Sequence, residues 1–296
     1  MEINFEDALK KSFTVWVRDG RIWKYILATY AVQIIFFALI FGLLVAFFGP
    51  IVSQVLSDPA KLEDVNFITQ LIPDLVANIL AFIVILVPLL ILFSLVASYF
   101  YVLMQVRALQ LNGLDTAKFT IGKYLRLVVL WFYLLFVALF SIYNKTLMIV
   151  SIVFYAIAGL TIVLFIASPV IGAVLALIWL VLLFPYLIIL LYTSFRISLS
   201  APIFLHKEIP ITQAPKESYQ LTKGNLISMF ALYLIADIII GVISAIVQLV
   251  GQGFGWVLDL ATGTAFLSPA FAVLFSFIAD PILSMVFIAL VPAIYV

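Results

Sequence analysis

Two carboxylates stand where an apolar helix would ordinarily carry none. Asp237 lies about the middle of the apolar run 226–250, and Asp280 lies about eleven residues into the run 269–296. A charge at the centre of a bilayer costs at least ~2.5–3.5 kcal/mol on insertion scales, so such residues usually face the protein interior or water and often handle ions or protons. The short connection between the runs makes them antiparallel neighbours, which predicts similar depths for the two carboxylates. Pro281 follows Asp280 and has no N–H to donate, so it frees a carbonyl there. A broken helix beside a carboxylate is the design of transporter ion sites, and the pair is read as a candidate ion or proton site. The structural alternative is a carboxyl bonded to a neighbouring helix, or, for Asp280, a place near the outer interface.

The second kind of chemistry is cationic. Segments 1–24, 107–126 and 196–224 hold all of the 15 basic residues except Lys61 and Lys145. Residues 1–24 read as an amphipathic helix capped by Asn4, with Asp7 three residues on. Phe5, Leu9, Phe13 and Trp16 share one face, while Lys10, Lys11 and Arg18 fall mostly on others. This pattern fits a helix lying in the membrane interface, and also a helix packed on the protein's own cytoplasmic end. Arg107 and Arg196 each end a long apolar run behind a tyrosine, in YFYVLMQVR (99–107) and LLYTSFR (190–196), where a snorkelling cation is favoured. Lys10, Lys11, Arg18, Arg107, Arg196 and Lys216 are the candidate contacts to inner-leaflet lipid headgroups.

Enzyme chemistry has no support in the motifs. The one histidine, His206, sits beside Lys207 in a basic loop and reads as a solvated residue. A single histidine excludes HExxH, no Walker A lysine motif occurs, and GQGFG (251–255) reads as a turn rather than a dinucleotide fingerprint. No catalytic residue, metal ligand set or cofactor is assigned. With no cysteine there is no disulfide or thiolate metal site. Net charge of +1 implies no bulk attraction to nucleic acid.

The elements that must carry these residues follow from composition. The chain is 67% hydrophobic and 10% charged, whereas soluble domains hold about 25% charged residues. Apolar runs longer than 18 residues recur, and without strand alternation only helices satisfy the backbone in lipid. The predicted fold is all-α, a polytopic transmembrane helical bundle with interfacial amphipathic helices. Spans are expected near 25–48 (stopping at Gly49-Pro50), 75–106, 226–250 and 269–296, with a glycine-rich loop at 251–268. The first run is too long for a secretory signal and reads as a retained span.

Residues 127–195 carry one formal charge, Lys145, and divide by hydropathy near 127–143, 146–167 and 170–195. Cytoplasmic loops are enriched in Lys and Arg. Loop 49–74, with Asp58, Glu63, Asp64 and Asp74 against Lys61, is mainly acidic. If the three basic segments lie inside, an even number of crossings separates 126 from 196. Two crossings give six spans with both termini cytoplasmic, and residues around 144–168 then extend these helices or form a buried, re-entrant segment. Seven spans is the alternative. Gly42, Gly172 and Gly241 are candidates for close helix approach.

One phrase is written twice. ALKKSF (8–13) and APKESY (214–219) share Ala, Lys, Ser and an aromatic at the same spacing, and each is followed by a glycine, Gly20 or Gly224, before a long apolar run. Ala117-Lys118 and Gly122 give a weaker echo. Six spans divide into three units, 1–106, 107–196 and 197–296, each an interfacial segment followed by a hairpin, with Pro88 and Pro185 in corresponding spans. Either a copied module or local convergence accounts for this.

Residues 196–230 carry Arg196, Ala201-Pro202, Glu208, Ala214, Ser218 and Lys223-Gly224-Asn225. In this the chain resembles uncharacterised prokaryotic six-span membrane proteins, similar to the membrane domain of some glycerophosphoryl diester phosphodiesterases. The resemblance implies an α-helical membrane domain and no established chemistry; the catalytic phosphodiesterase domain has no counterpart here. The reading is a non-enzymatic, multi-pass cell-membrane protein that organises the membrane or binds lipids or other membrane proteins. The alternative is a small secondary transporter or channel using Asp237 and Asp280.

Overall fold

The computed structural model describes residues 4–57, 65–114, 117–265 and 267–295. Asp58, Lys61, Glu63, Asp64 and Asp115 lie outside the described residues, as do the side chains of Phe5, Trp16 and Pro281. Ten helices and no strand occur among the described residues: α1 (Phe5–Arg18), α2 (Gly20–Ser57), α3 (Val65–Leu111), α4 (Ile121–Phe140), α5 (Lys145–Ala167), α6 (Pro169–Ile197), α7 (Ser200–His206), α8 (Gln213–Leu221), α9 (Leu226–Thr262) and α10 (Leu267–Tyr295). Helices α2, α3, α4, α5, α6 with α7, and α9 are each long and apolar enough to cross a membrane, and α10 holds the apolar stretches Leu267–Ser276 and Ile282–Tyr295. Their apolar surfaces stay uncovered: Val84 is 70% exposed, Ile166 83% and Ile227 83%. Soluble monomers rarely expose contiguous apolar surface on this scale. The protein is a helical, multi-pass membrane protein.

The helices run further than the sequence suggests. Gly49-Pro50 does not stop α2, which continues to Ser57 with Pro50 inside it. Pro73 and Pro88 are likewise inside α3. A proline removes one donor from the ladder, and a helix anchored on both sides absorbs that loss. The glycine-rich stretch 251–268 is not a loop, because α9 extends through it to Thr262 and ends at Gly263.

Contacts divide the chain into two compact units, residues 20–103 and residues 1–19 with 104–296. In the first, α2 and α3 form an antiparallel hairpin. Phe36 stacks on Phe93 with centroids 4.0 Å apart, Phe82 meets Phe47 and Phe48 edge-on, and Asn78 donates to the Phe47 carbonyl at 3.0 Å.

In the second unit, residues 121–197 form three helices at nearly the cuts that hydropathy suggests. Asn144 caps α5 by accepting from the Thr146 and Leu147 amides at 3.1 and 3.2 Å. Ser168 is extended and Pro169 opens α6. Helices α5 and α6 form a tight antiparallel pair: Phe154 stacks on Tyr186 at 4.1 Å and on Trp179 at 5.5 Å. A Cβ on Gly172 would lie 2.3 Å from the Phe165 Cα, whereas Gly42 and Gly241 have nothing within 4 Å of theirs. Of the three glycines expected to permit close approach, only Gly172 does so here.

Helix α4 is placed differently. Ser141, just past its end, shares a 2.8 Å hydrogen bond with Thr193. Val137 and Ala138 pack on Ile197, and Lys123 near its start donates to the Leu205 carbonyl at 2.6 Å. Thus α4 runs antiparallel to the last turns of α6 and to α7, while α5 covers the earlier part of α6.

Helices α9 and α10 pair closely through glycines. A Cβ on Gly251 would meet the Phe271 carbonyl at 2.7 Å, and one on Gly255 would meet the Ser268 Cα at 2.4 Å. Two small residues four apart share a helix face, which lets backbones approach. Asp259 closes this hairpin by accepting from the Leu267 and Ser268 amides, both at 2.9 Å, and from Thr264 at 2.7 Å. It thereby satisfies orphan donors at the start of α10.

Candidate functional site

The buried core of the larger unit lies largely at the end that carries the basic segments. Helix α7 is only seven residues long, yet Pro202, Ile203, Phe204 and Leu205 are all buried. Around it lie α4, α8 and the last turns of α10, where Ala289, Leu290 and Ile294 are buried, and α1 packs on α10.

Helix α1 begins as its sequence predicts, with Asn4 accepting from the Asp7 amide at 3.1 Å. Its buried stripe is Ala8, Ser12 and Val15, one position away from the expected Leu9 and Phe13, which are half-buried. The helix therefore packs by small residues, against α10, and leaves Lys10 exposed. The second copy of the phrase behaves alike: Ala214 and Ser218 are fully buried and Lys216 is exposed. In both copies alanine and serine four apart make a flat face, and the lysine between them points away from it. The two glycines differ. Gly224 has φ +88, a conformation only glycine takes without strain, while Gly20 simply opens α2.

Hydrogen bonds join the three basic segments. Arg18 donates to the Leu111 carbonyl at 2.8 Å and to Asn112 at 3.3 Å. Arg107 pairs with Asp19 and donates to Gln110 at 2.9 Å, and Gln110 donates to the Ala117 carbonyl at 2.8 Å. Lys123 reaches Leu205, as above. His206, the last residue of α7, is not simply solvated: its Nδ1 lies 2.9 Å from the Tyr295 hydroxyl at the end of α10.

Arg196 is buried, so its guanidinium is not offered to lipid headgroups as its position at a helix end suggests. It sits 4.0 Å over the Tyr219 ring and 5.7 Å from the Tyr192 ring centroid, and donates to the Tyr219 carbonyl. Such a cation is held by ring quadrupoles where water is excluded. Its own carbonyl accepts from Ser218 at 2.9 Å and Thr222 at 3.1 Å, while Ser218 also accepts from the Leu199 amide at 3.1 Å. Ser218 and Arg196 thus lock α8 onto the end of α6. Burial pushes the Tyr219 hydroxyl pKa up.

Other cations of these segments are paired or exposed. Lys11 pairs with Asp7 at 2.6 Å. Lys207 pairs with Glu217 at 2.6 Å, and that hydrogen bond raises its pKa. Lys10, Lys118, Lys216 and Lys223 are exposed.

Sequence reasoning did not single out Lys123, Arg126 and Lys207. The structure brings them to one cavity of about 590 Å³, lined also by Thr120, Gly122, Phe204, Glu208, Ile209 and Pro210. Their basic character was visible; the contact across 82 residues of chain was not.

Asp237 and Asp280 are not brought together. Ser244 donates to Asp280 at 3.4 Å, and the glycine contacts fix the same antiparallel register. Asp237 lies seven residues before Ser244, about 10 Å along the helix. Both carboxylates are exposed on the protein surface. Asp280 lines a cavity of about 340 Å³ with Gln248, Ala272, Val273 and Ser276. Among the described residues no three His, Cys, Asp or Glu side chains are grouped to hold a metal. Comparison with protein-family models, with curated proteins and with solved structures finds no match.

Proposed function

We propose that this is a non-enzymatic protein of the cell membrane, with both termini cytoplasmic, that binds anionic lipids or partner membrane proteins through its basic end. One observation carries the reading: segments from all three basic regions are joined at one end of the larger unit, where Lys10, Lys118, Lys216 and Lys223 stay exposed. Basic residues beside a membrane are attracted by the negative surface potential of the cytoplasmic leaflet, by about 1 kcal/mol each.

The same grouping supports six crossings, made by α2, α3, α5, α6, α9 and α10. Helix α4 then lies with the basic end, since its start meets Leu205 and its end meets Thr193. This keeps two crossings between residues 126 and 196 and gives them to α5 and α6. The test is lipid selection by the full chain extracted from mixed phosphatidylglycerol and phosphatidylcholine membranes. The wild type retains phosphatidylglycerol in excess, and a variant with Lys10, Lys118, Lys216 and Lys223 changed to Gln loses most of that excess. An unchanged lipid ratio contradicts the reading.

A transporter or channel is the second reading, and the cavity beside Asp280 favours it. It no longer involves a carboxylate pair. If Asp280→Asn leaves pH-dependent ion flux in liposomes at the wild-type rate, this reading fails.

A further inference from the structure

We propose that the cavity between the start of α4 and the α7–α8 connection is a binding site for one phosphate group, supplied by the headgroup of an anionic phospholipid. The proposal rests on the lipid-binding reading above, but makes a narrower claim: one site with defined residues rather than a diffuse field.

The cavity's volume of about 590 Å³ is within the ~300–1,000 Å³ of small-molecule sites. Lys123, Arg126 and Lys207 line it against one carboxylate, Glu208, so the lining is net positive. The donors suit phosphate. An ammonium has three N–H groups; Lys123 directs one to the Leu205 carbonyl and Lys207 one to Glu217, which fixes both side chains and leaves donors over. Arg126 adds a planar guanidinium able to bind two oxygens of one phosphate at once. The Thr120 hydroxyl oxygen accepts from the Lys123 amide at 3.1 Å, which holds the helix start in place beneath the cavity.

The apolar surroundings point to a lipid as the source. Gly122 and Arg126 face the cavity one helical turn apart. Directly beside them, Ile121 and Leu125 are 67% and 59% exposed, and the stripe continues through Val129, Phe132 and Phe136. A phospholipid places its phosphate among the cations and its acyl chains along this stripe. A free phosphate would use the cations alone. Basic pockets at the cytoplasmic ends of membrane helices are suited to headgroups in this way.

The test uses the full chain in detergent. Titration with phosphatidylglycerol, read by native mass spectrometry, is expected to show one saturable lipid per chain, about tenfold weaker in Arg126→Gln. Ile209→Glu, which adds a carboxylate to the lining, weakens it likewise and serves if the first variant misfolds. Equilibrium dialysis with inorganic phosphate separates the sources. Saturable phosphate binding lost in Arg126→Gln supports the site with soluble phosphate as its ligand. Lipid binding without phosphate binding supports the headgroup. If neither ligand's affinity changes by more than about twofold in both variants, the site is overturned. The fourfold lysine variant described above keeps the two claims apart. Loss of bulk lipid selection there with an intact one-per-chain step removes nothing from the site. Intact selection there with the step lost in Arg126→Gln leaves the site standing and the broader reading contradicted.

Discussion

Ser141 Oγ and Thr193 Oγ1 lie 2.8 Å apart, and both side chains are buried. This contact ties the end of α4 to the end of α6, 52 residues later in the chain. A helix of 20 residues, about 30 Å long, has the length and hydropathy of a span. Yet its start is held at Leu205 and its end at Thr193, both in the region of the basic segments.

The α9–α10 hairpin depends on backbone contact at two glycines. Gly255→Ala places a methyl group against the Ser268 and Leu267 backbone and is expected to destabilise the protein by about 1–3 kcal/mol. Gly253→Ala, with open space at its Cβ, is the control and leaves thermal stability unchanged or slightly higher. Thermal unfolding in detergent measures both. Equal midpoints would mean that the close approach contributes nothing.

Asp259 receives two amide donors from the beginning of the next helix and the Thr264 hydroxyl from the connection before it. Asp259→Ala is expected to cost about 2 kcal/mol, the upper range for an N-terminal cap. Asp259→Asn keeps one acceptor oxygen and recovers part of the loss. Proteolysis at residues 263–265 provides an independent readout, faster in the alanine variant than in the asparagine variant.

Arg196 is held by two tyrosine rings and a carbonyl, a planar arrangement that a lysine does not reproduce. Arg196→Lys therefore lowers stability nearly as much as Arg196→Met, and both loosen α8. Hydrogen exchange at residues 213–222 is the measurement. Full protection in the lysine variant would show that charge alone is what matters at this position.

The Lys207–Glu217 pair has a defined pH signature. Its hydrogen bond raises the Lys207 pKa in the folded state above 10.5. Stabilisation from a raised basic pKa is complete below the unfolded value, and is lost as pH rises through the folded one. The midpoint difference between wild type and Glu217→Gln should hold steady from about pH 7 to 10 and shrink above the unfolded pKa near 10.4. A difference that grows with rising alkalinity contradicts the pairing.

Much of the helical architecture was legible because it follows from local chemistry. Apolar run length gave the long apolar helices and Asn4 gave the first cap. Hydropathy offered a cut near 144, but the six-span reading merged residues 144–168 into their neighbours or made them re-entrant, whereas they form the separate helix α5. The contacts were less accessible. Pro50 reads as a terminator, yet α2 passes through it. GQGFG reads as a turn, yet Gly251 and Gly255 are a packing face, a distinction that depends on what lies opposite. Arg196 and Arg107 look alike at helix ends, but one is buried under aromatic rings while the other pairs with Asp19. The carboxylate pair separated because two residues with similar depths on antiparallel helices still need a register. That register is fixed by glycines rather than by the carboxylates.

The most direct test of the account is the sidedness of Lys145, at the start of α5. The native chain has no cysteine, so Lys145→Cys, Lys216→Cys and Ala265→Cys give single label sites at exposed positions. In intact cells, a membrane-impermeant thiol reagent should label the variant at 265 and leave those at 145 and 216 protected until the membrane is permeabilised. Labelling at 145 in intact cells, with 216 protected, would make α4 a crossing helix and contradict the placement of α4 at the basic end.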